Sequence, residues 1–449
     1  MAIATYFDLD IEQFDAINAF CNAYNDELVY VRYPDGFQVS GFCLKLIRAL
    51  YGQPRSPLLW YNLIVKKLRK LGLNPVPDCP CLFTNNKLVV FFYVDDIAVL
   101  SHPSNRVVFE QFRTEFLKAF KMRELGELKW FLGIRVVRDR KARKLWLCQD
   151  TYITKISNRY KRPDTSIRRP KTPMSIPPPR PYAGTASNDE IQHYSQVVGS
   201  LTYSATITRP DTSFCTKLLA QNLKNPGPEH LAAAYRCLDY LDDTRFYALE
   251  YGGEIKSEPI FSAASDAAFA DDETTRRSTE GEALTLFNGL FDWQSRLQPT
   301  VTNSTTEAEF LALAHLCSWI IWWSRFFYNI DLDIDQALTA FCDNLQTIGL
   351  LMKDSPKLVT KLKHVDIQQH WLRQETARGN VQIDWKPTTE MVADGLTKPL
   401  TIQKHNDFLK MINMVDIEHR ITKAPSTNLG GPRYPNDNQP IDDDKEWVD

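Results

Sequence analysis

Residues Lys87–Ser101, KLVVFFYVDDIAVLS, constrain the fold more than any other stretch of the chain. Leu88 to Val94 form an unbroken apolar run, Asp95 and Asp96 interrupt it, and Ile97 to Leu100 resume it. Two short apolar runs around a polar break predict two strands joined by a tight turn. Aspartate favours turns, so an acidic hairpin with no further role is one reading. The other is chemical: adjacent carboxylates framed by apolar strands repel each other near low-dielectric surroundings, and bound divalent cations would remove that penalty. A second strand-like stretch, Gln13–Phe20 (QFDAINAF), supplies Asp15. Asp15, Asp95 and Asp96 together would furnish the carboxylates of a two-metal site of the kind that supports in-line displacement at phosphorus.

Charge at first argues against a nucleic-acid partner. The 449 residues hold 53 Lys+Arg and 55 Asp+Glu, a formal net of −2. The balance is an average of two unlike halves, because residues 1–180 carry 29 basic and 17 acidic residues and the remainder carry 24 and 38. Arg135 to Arg180 alone hold 14 basic residues against Asp139, Asp150 and Asp164. Such a stretch suits salt-sensitive, sequence-independent contact with phosphates, and a merely solvated basic face is the plain alternative. A 43% hydrophobic share with 12% aromatics excludes a wholly disordered chain. Nine cysteines without zinc-site spacing suggest reduced, mostly buried thiols. The N-terminal residues lack the basic and apolar regions of a secretory signal. Phe310 to Tyr328 is apolar enough to be checked as a membrane span, but His315, Ser318, Ser324 and Arg325 favour a buried helix, so no membrane partner is expected.

The length suggests about three domains. Residues 1–160 mix short apolar runs with helical patterns, among them an amphipathic helix over Leu58–Leu71 with a basic C-terminal end. Seven prolines between Lys161 and Pro181 predict a linker, bounded at 161–190. Residues 191–250 read as helical, punctuated at Arg209-Pro210 and Asn225–Pro228, within a connection region bounded at 191–256, and 257–416 alternate strands and helices as an α/β region. The last segment, 417–449, has an acidic cluster at Asp442–Asp444 and is expected to be a disordered tail. The α/β region carries a second acidic set: Asp266 closing a strand-like run, Glu307 or Glu309 opening a long apolar helix, Asp343 ending another strand, and Asp394 in VADGLTKPL. Glu307 and Glu309 lie about 200° apart on a helix, so only one can face a common site. His364 and His370 could assist proton transfer or serve as ordinary structural histidines.

These motifs resemble a known family. YVDD at Tyr93–Asp96 with FDAINAF upstream looks like the palm of reverse transcriptases. ELVYVRYPDGF (Glu27–Phe37), ALYGQPRSPLLWY (Ala49–Tyr61), DCPCLF (Asp78–Phe83), LGELKWFLGI (Leu125–Ile134) and VGSLTYSATITRPD (Val198–Asp211) narrow the resemblance to the polymerase region of copia-type LTR retrotransposons. The resemblance implies an α+β and α/β multidomain chain: a partial reverse-transcriptase palm and thumb at 1–160, a helical connection, and an RNase H-like α/β domain at 257–416. It implies Asp15, Asp95 and Asp96 as one catalytic, metal-binding set, and Asp266, Glu309, Asp343 and Asp394 as another. Glu309 is favoured over Glu307 because Ala312 follows it at the E-x-x-A spacing of RNases H. Each set would hold two Mg2+ (or Mn2+) ions. Phe20 would exclude a 2′-hydroxyl, with a core phenylalanine as the alternative. Gly52, Ser56 and Pro57 would support template and nucleotide beside Tyr93, and Leu125–Ile134 resembles the primer-grip hairpin. The implied partners are RNA template, DNA primer, RNA–DNA hybrid and deoxynucleoside triphosphates, in an intracellular particle or the nucleus.

The sequence departs from the family in places. Gln53-Pro54 replaces the usual leucine and basic residue, while Phe269 and Asp271 replace an expected tryptophan and glycine. The family's polymerase extends further upstream of Asp15, so the resemblance implies an N-terminally truncated chain with fingers largely missing and polymerase activity impaired. An RNase H working alone and an inert nucleic-acid-binding remnant are the alternatives.

Overall fold

The computed structural model describes residues 1–161, 169–253, 259–334, 338–352 and 363–422. Part of the expected linker, around Asp164, and the acidic tail at 423–449 lie outside the described residues, as does the side chain of His364. The fold is mixed α+β, with four sheets among the described residues.

The N-terminal region runs α1 (Ala2–Tyr6), β1 (Asp10–Ala16), β2 (Tyr24–Val31), β3 (Leu44–Arg48), α2 (Ser56–Lys70), β4 (Asn74–Val76), β5 (Cys79–Asn85), β6 (Leu88–Tyr93), β7 (Asp96–Ser101), α3 (Arg106–Ala119) and β8 (Met122–Glu127). Six of its strands form one sheet in the order β4-β5-β6-β7-β1-β8, and β2-β3 stand apart as a two-stranded ribbon. The apolar hairpin is therefore central in its sheet, which explains its nearly unbroken hydrophobicity. Helix α2 turns Trp60, Ile64 and Leu68 inward at four-residue steps, and α3 does so with Phe109, Phe112 and Phe116. Both faces meet Phe14, Val90, Phe92, Ile97 and Val99 in one core. The ribbon leaves Leu28, Tyr30, Phe37, Phe42 and Ile47 exposed.

The middle of the chain contributes β9 (Trp130–Phe131), β10 (Ile134–Asp139), β11 (Lys144–Cys148), α4 (Asp150–Arg159), α5 (Asn188–Ile207), α6 (Ser213–Ala220), α7 (Pro228–Asp243) and β12 (Tyr247–Gly252). Helix breaks fall at the two predicted proline sites. Helix α5 starts inside the stretch expected as linker, with Ser187 and Glu190 forming a capping box. β12 was expected to be helical but pairs with β11 across the proline-rich segment.

The C-terminal region runs β13 (Phe261–Ala268), β14 (Thr279–Leu286), β15 (Gly289–Leu297), α8 (Thr305–Asn329), β16 (Thr339–Cys342), α9 (Leu345–Met352), α10 (Lys363–Ala377), β17 (Gln382–Trp385), α11 (Ile402–Met411), β18 (Met414–Asp416) and α12 (Glu418–Thr422). The sheet order is β15-β14-β13-β16-β17, with β13, β16 and β17 parallel. Helix α8 is, among the described residues, the one helix long and apolar enough to cross a membrane. Ten consecutive residues of it, Ala308 to Cys317, are instead buried in the core apart from His315. β18 leaves this sheet and pairs with β12 in the order β18-β12-β11-β10-β9. Residues 417–422, expected as part of the tail, are instead folded: Ile417 is buried against Trp146, Cys148 and Ala248, and α12 follows it.

The basic stretch after Arg135 is not a free cationic face. Arg135 makes two bonds to Asp150, Arg138 reaches Asp8 and Arg140 reaches Asp10, while Lys144 pairs with Glu250. Arg169 and Lys171 both lie beside Asp243. Carboxylates remote in sequence absorb much of the local excess.

Candidate active sites

At the first centre, β1 and β7 are antiparallel and the register sets Asp15 opposite Asp96. Tyr93 pairs with Asp96, so Val94 and Asp95 are the two-residue turn. Val94 has φ +55°, a costly conformation for a β-branched residue. Its carbonyl accepts the Trp60 indole N–H at 2.6 Å, which anchors the turn to α2. Ala16 N–H donates to Asp95 O at 2.9 Å, bringing the turn onto the end of β1. Burial and then the charges of Asp95 and Asp15 push the Asp96 carboxyl up to about 6. Burial and Asp95 raise Asp15 too, opposed by Arg123, whose guanidinium lies 3.6 Å from Asp15 Oδ2. The acids thus repel one another at the ends of interior strands, and an all-oxygen donor set of this kind fits a hard divalent cation.

The residues expected around this centre divide. Phe20 is half-buried and its ring lies 4.6 Å, centroid to centroid, from that of Tyr51. Burial and the nearby Asp95 raise the Tyr51 phenol, so Tyr51 belongs to this centre. Sequence reasoning had passed over it, although it directly precedes Gly52. Gly52 adopts φ +93°, which favours glycine, and Tyr93 is exposed at the hairpin end. Ser56 is fully buried and donates to Leu50 O at 2.6 Å. It shapes the 50–56 loop and offers no hydroxyl to a substrate, and Pro57 occupies the first turn of α2. The hairpin expected over Leu125–Ile134 is tighter: β9 and β10 turn at Leu132-Gly133, while β8 belongs to the neighbouring sheet.

The second centre gathers its acids from four elements. Ser262 opposes Thr339 and Ala264 opposes Phe341 on parallel strands, a register that carries Asp266 level with Asp343 just beyond β16. Glu309 on α8 accepts a hydrogen bond from Ala267 N–H, and its Oε2 has no partner among the described residues. Burial and then Asp266 and Asp343 push its carboxyl up to about 9. Burial likewise raises Asp266 to about 6, although Thr397 donates to Asp266 Oδ2 at 2.5 Å. Asp343 accepts from Thr388 at 2.7 Å, and Asp394 is ion-paired with Lys398. Cys342 lies beside Glu309 and Asp343, but burial raises its thiol and leaves the oxygens as the available donors. An orphaned buried carboxylate oxygen among repelling acids fits a divalent cation.

Glu307 faces elsewhere. Its Oε2 accepts Asn303 N–H at 2.7 Å while its own N–H donates to Ser304, a reciprocal helix cap. Asp394 sits on a short 3₁₀ turn, Val392–Leu396. Two glycines let that turn approach. A Cβ on Gly281 would lie 2.8 Å from Ala393 O, and one on Gly395 2.4 Å from the Phe408 ring. Gly395→Ala is expected to cost about 1–3 kcal/mol, as overpacking does. It should also weaken the Mg2+-dependent rise in melting temperature, measured by calorimetry with and without the ion. His370 is exposed beside Asp366 and takes no part in the centre. Glu280, Glu282 and His315 form another cluster, but Arg296 pairs with both glutamates and closes it as a charge network.

Residues 1–174 match the family described as reverse transcriptase (RNA-dependent DNA polymerase). The chain is 30% identical over 428 residues to the retrovirus-related Pol polyprotein from transposon TNT 1-94 of Nicotiana tabacum, covering 92% of this chain and 32% of that one. It is also 30% identical over 420 residues to the Pol polyprotein from transposon RE1 of Arabidopsis thaliana, covering 91% and 28%. The chain belongs to the copia-type retrotransposon Pol polyproteins. It spans about a third of the length of these curated relatives. A foamy viral protease–reverse transcriptase in complex with RNA/DNA hybrid superposes loosely, with a TM-score of 0.44 at 14% identity over 84% of this chain and 44% of that one, and the family assignment rests on the sequence matches. Within this Pol chain the reverse-transcriptase match contains the whole first centre, and the second centre lies beyond it.

Proposed function

We propose that the chain is an RNA-directed DNA polymerase joined to a ribonuclease H, each centre using two Mg2+ or Mn2+ ions. The observation that carries this is the recurrence, in two separate sheets, of mutually repelling carboxylates brought together by strand register. Ions bound there would activate an attacking oxygen and stabilise a leaving one. Asp15, Asp95 and Asp96 would hold them in the palm, and Asp266, Glu309, Asp343 and Asp394 in the nuclease. Phe20, backed by Tyr51, would present a ring to the incoming sugar and disfavour a ribose 2′-hydroxyl. Template RNA, DNA primer and deoxynucleoside triphosphates are the substrates of the first centre, and RNA–DNA hybrid that of the second. Lys141, Lys155, Arg159, Lys161 and Arg180, which form no ion pair among the described residues, rather than the whole 135–180 stretch, are then left for backbone phosphates.

The test is primer extension on an RNA template and cleavage of a labelled RNA–DNA hybrid by the same preparation. Both are expected with Mg2+ and neither with a chelator. A second reading, nuclease alone, is favoured by the exposed apolar side chains of the β2-β3 ribbon, which no described element covers. Cleavage without extension would establish it. Salt-sensitive hybrid binding with neither reaction would leave an inert remnant.

A further inference from the structure

We infer that Lys398 is a built-in counter-cation of the second centre, whose ammonium must give way when divalent ions are bound and which thereby sets the metal concentration that the centre needs. The inference rests on the ribonuclease H reading of that centre and adds a regulatory element to it.

Lys398 follows Asp394 by four residues on the segment that brings Asp394 to the site, and its Nζ is ion-paired with Asp394 Oδ1. The residue before it, Thr397, is fully buried and donates to Asp266. Two consecutive side chains therefore address two different carboxylates of one set. Glu309 presents a buried oxygen with no partner among the described residues, so the threonine and backbone donors leave the set only partly satisfied. Among the described residues, no other lysine or arginine forms an ion pair with Asp266, Glu309, Asp343 or Asp394. An isolated set of carboxylates in low dielectric is strongly disfavoured, and a single ammonium relieves part of that repulsion.

The side chain is also suited to leave. It is 43% exposed, so its stem lies at the mouth of the centre and the head can move into water without unpacking the core. Lysine is a compact point charge on a flexible stem, whereas a guanidinium would grip the carboxylates as a fork. Removing the charge should strengthen cation binding, because the ions no longer compete with it. It should also weaken the metal-free fold, because the repulsion is no longer relieved.

The experiment is calorimetric titration of the full chain with Mn2+, paired with melting curves in chelator. Heat lost in Asp343→Asn marks the binding that belongs to this centre. Lys398→Met is expected to bind Mn2+ there about tenfold more tightly, with a lower metal-free melting temperature. Lys398→Arg, which keeps the charge, is expected to bind no tighter than the wild type. Unchanged or weaker binding in Lys398→Met, or tighter binding in Lys398→Arg, overturns the counter-cation. Identical titrations of wild type and Asp343→Asn would instead overturn the nuclease reading itself.

Discussion

Glu309→Gln is expected to lower hybrid cleavage by about 10²–10³-fold or more while raising the melting temperature of the metal-free protein. The two effects have one cause. Glu309 is buried beside Asp266 and Asp343, so its carboxyl is pushed up to about 9. A carboxyl whose value is higher folded than unfolded makes the folded state bind more protons. Below the ordinary value near 4.5 it is neutral in both states and costs nothing. Between there and about 9 stability falls as pH rises, and above about 9 the full penalty applies. Glutamine keeps the shape and removes the charge, which flattens this slope. Adding Mg2+ should restore the ionised form in the wild type and raise its melting temperature, with a much smaller rise in the variant. Melting curves from pH 5 to 9, with and without Mg2+, check the stability half, and hybrid cleavage checks the other. A variant that cleaves like wild type would remove Glu309 from the metal set.

Asp211→Asn is expected to destabilise the chain by about 3–5 kcal/mol, the range for breaking one side of a buried ion pair. Both side chains of the Arg209–Asp211 pair are fully buried. Arg209 donates to Asp211 at 2.9 and 2.7 Å, to Thr244 O at 3.0 Å and to the Thr244 hydroxyl at 2.7 Å. Burial alone would raise the Asp211 carboxyl, but the guanidinium outweighs it and holds the group below its ordinary range. Tyr240 donates to Asp211 at 2.7 Å and lies 2.8 Å from His405 Nε2 on α11. The same helix carries Phe408, against which Gly395 packs. The network thus connects the helical middle of the chain to the turn that bears Asp394. Urea unfolding should show the midpoint falling, and Mn2+ affinity at the second centre should fall with it. A loss below about 1 kcal/mol would mean that the guanidinium finds other acceptors.

Local chemistry made parts of this legible in the sequence. The apolar hairpin with its acidic turn, the α2 stripe and the proline breaks around α5 and α7 follow from patterns a few residues long. Helical phase allowed only one of Glu307 and Glu309 to face a common site, the E-x-x-A spacing favoured Glu309, and Glu307 proves to cap the helix it opens. Pairings between remote residues were not legible. Nothing in Tyr247–Gly252 announces a partner at Lys144–Cys148, and nothing near Arg138 or Arg140 announces Asp8 or Asp10. Ser56 looked like a substrate contact because its neighbours match a loop motif, yet its hydroxyl is consumed by that loop.

The sheet running β18-β12-β11-β10-β9 has a consequence for the order of events in synthesis. Its first strand begins at Trp130 and its last ends at Asp416, on opposite sides of the entire second centre. The N-terminal six-stranded sheet draws all its strands from residues up to Glu127 and can pair them while the ribosome is still translating the rest, although Ile11, Ala98 and Leu100 wait for later residues to cover them. The middle sheet cannot. Its edge, and the Ile417 that covers Trp146, emerge only after every carboxylate of the second centre has been made. Completion of the middle sheet is therefore a late event in the life of the chain, one that reports that the second acidic set has been fully synthesised.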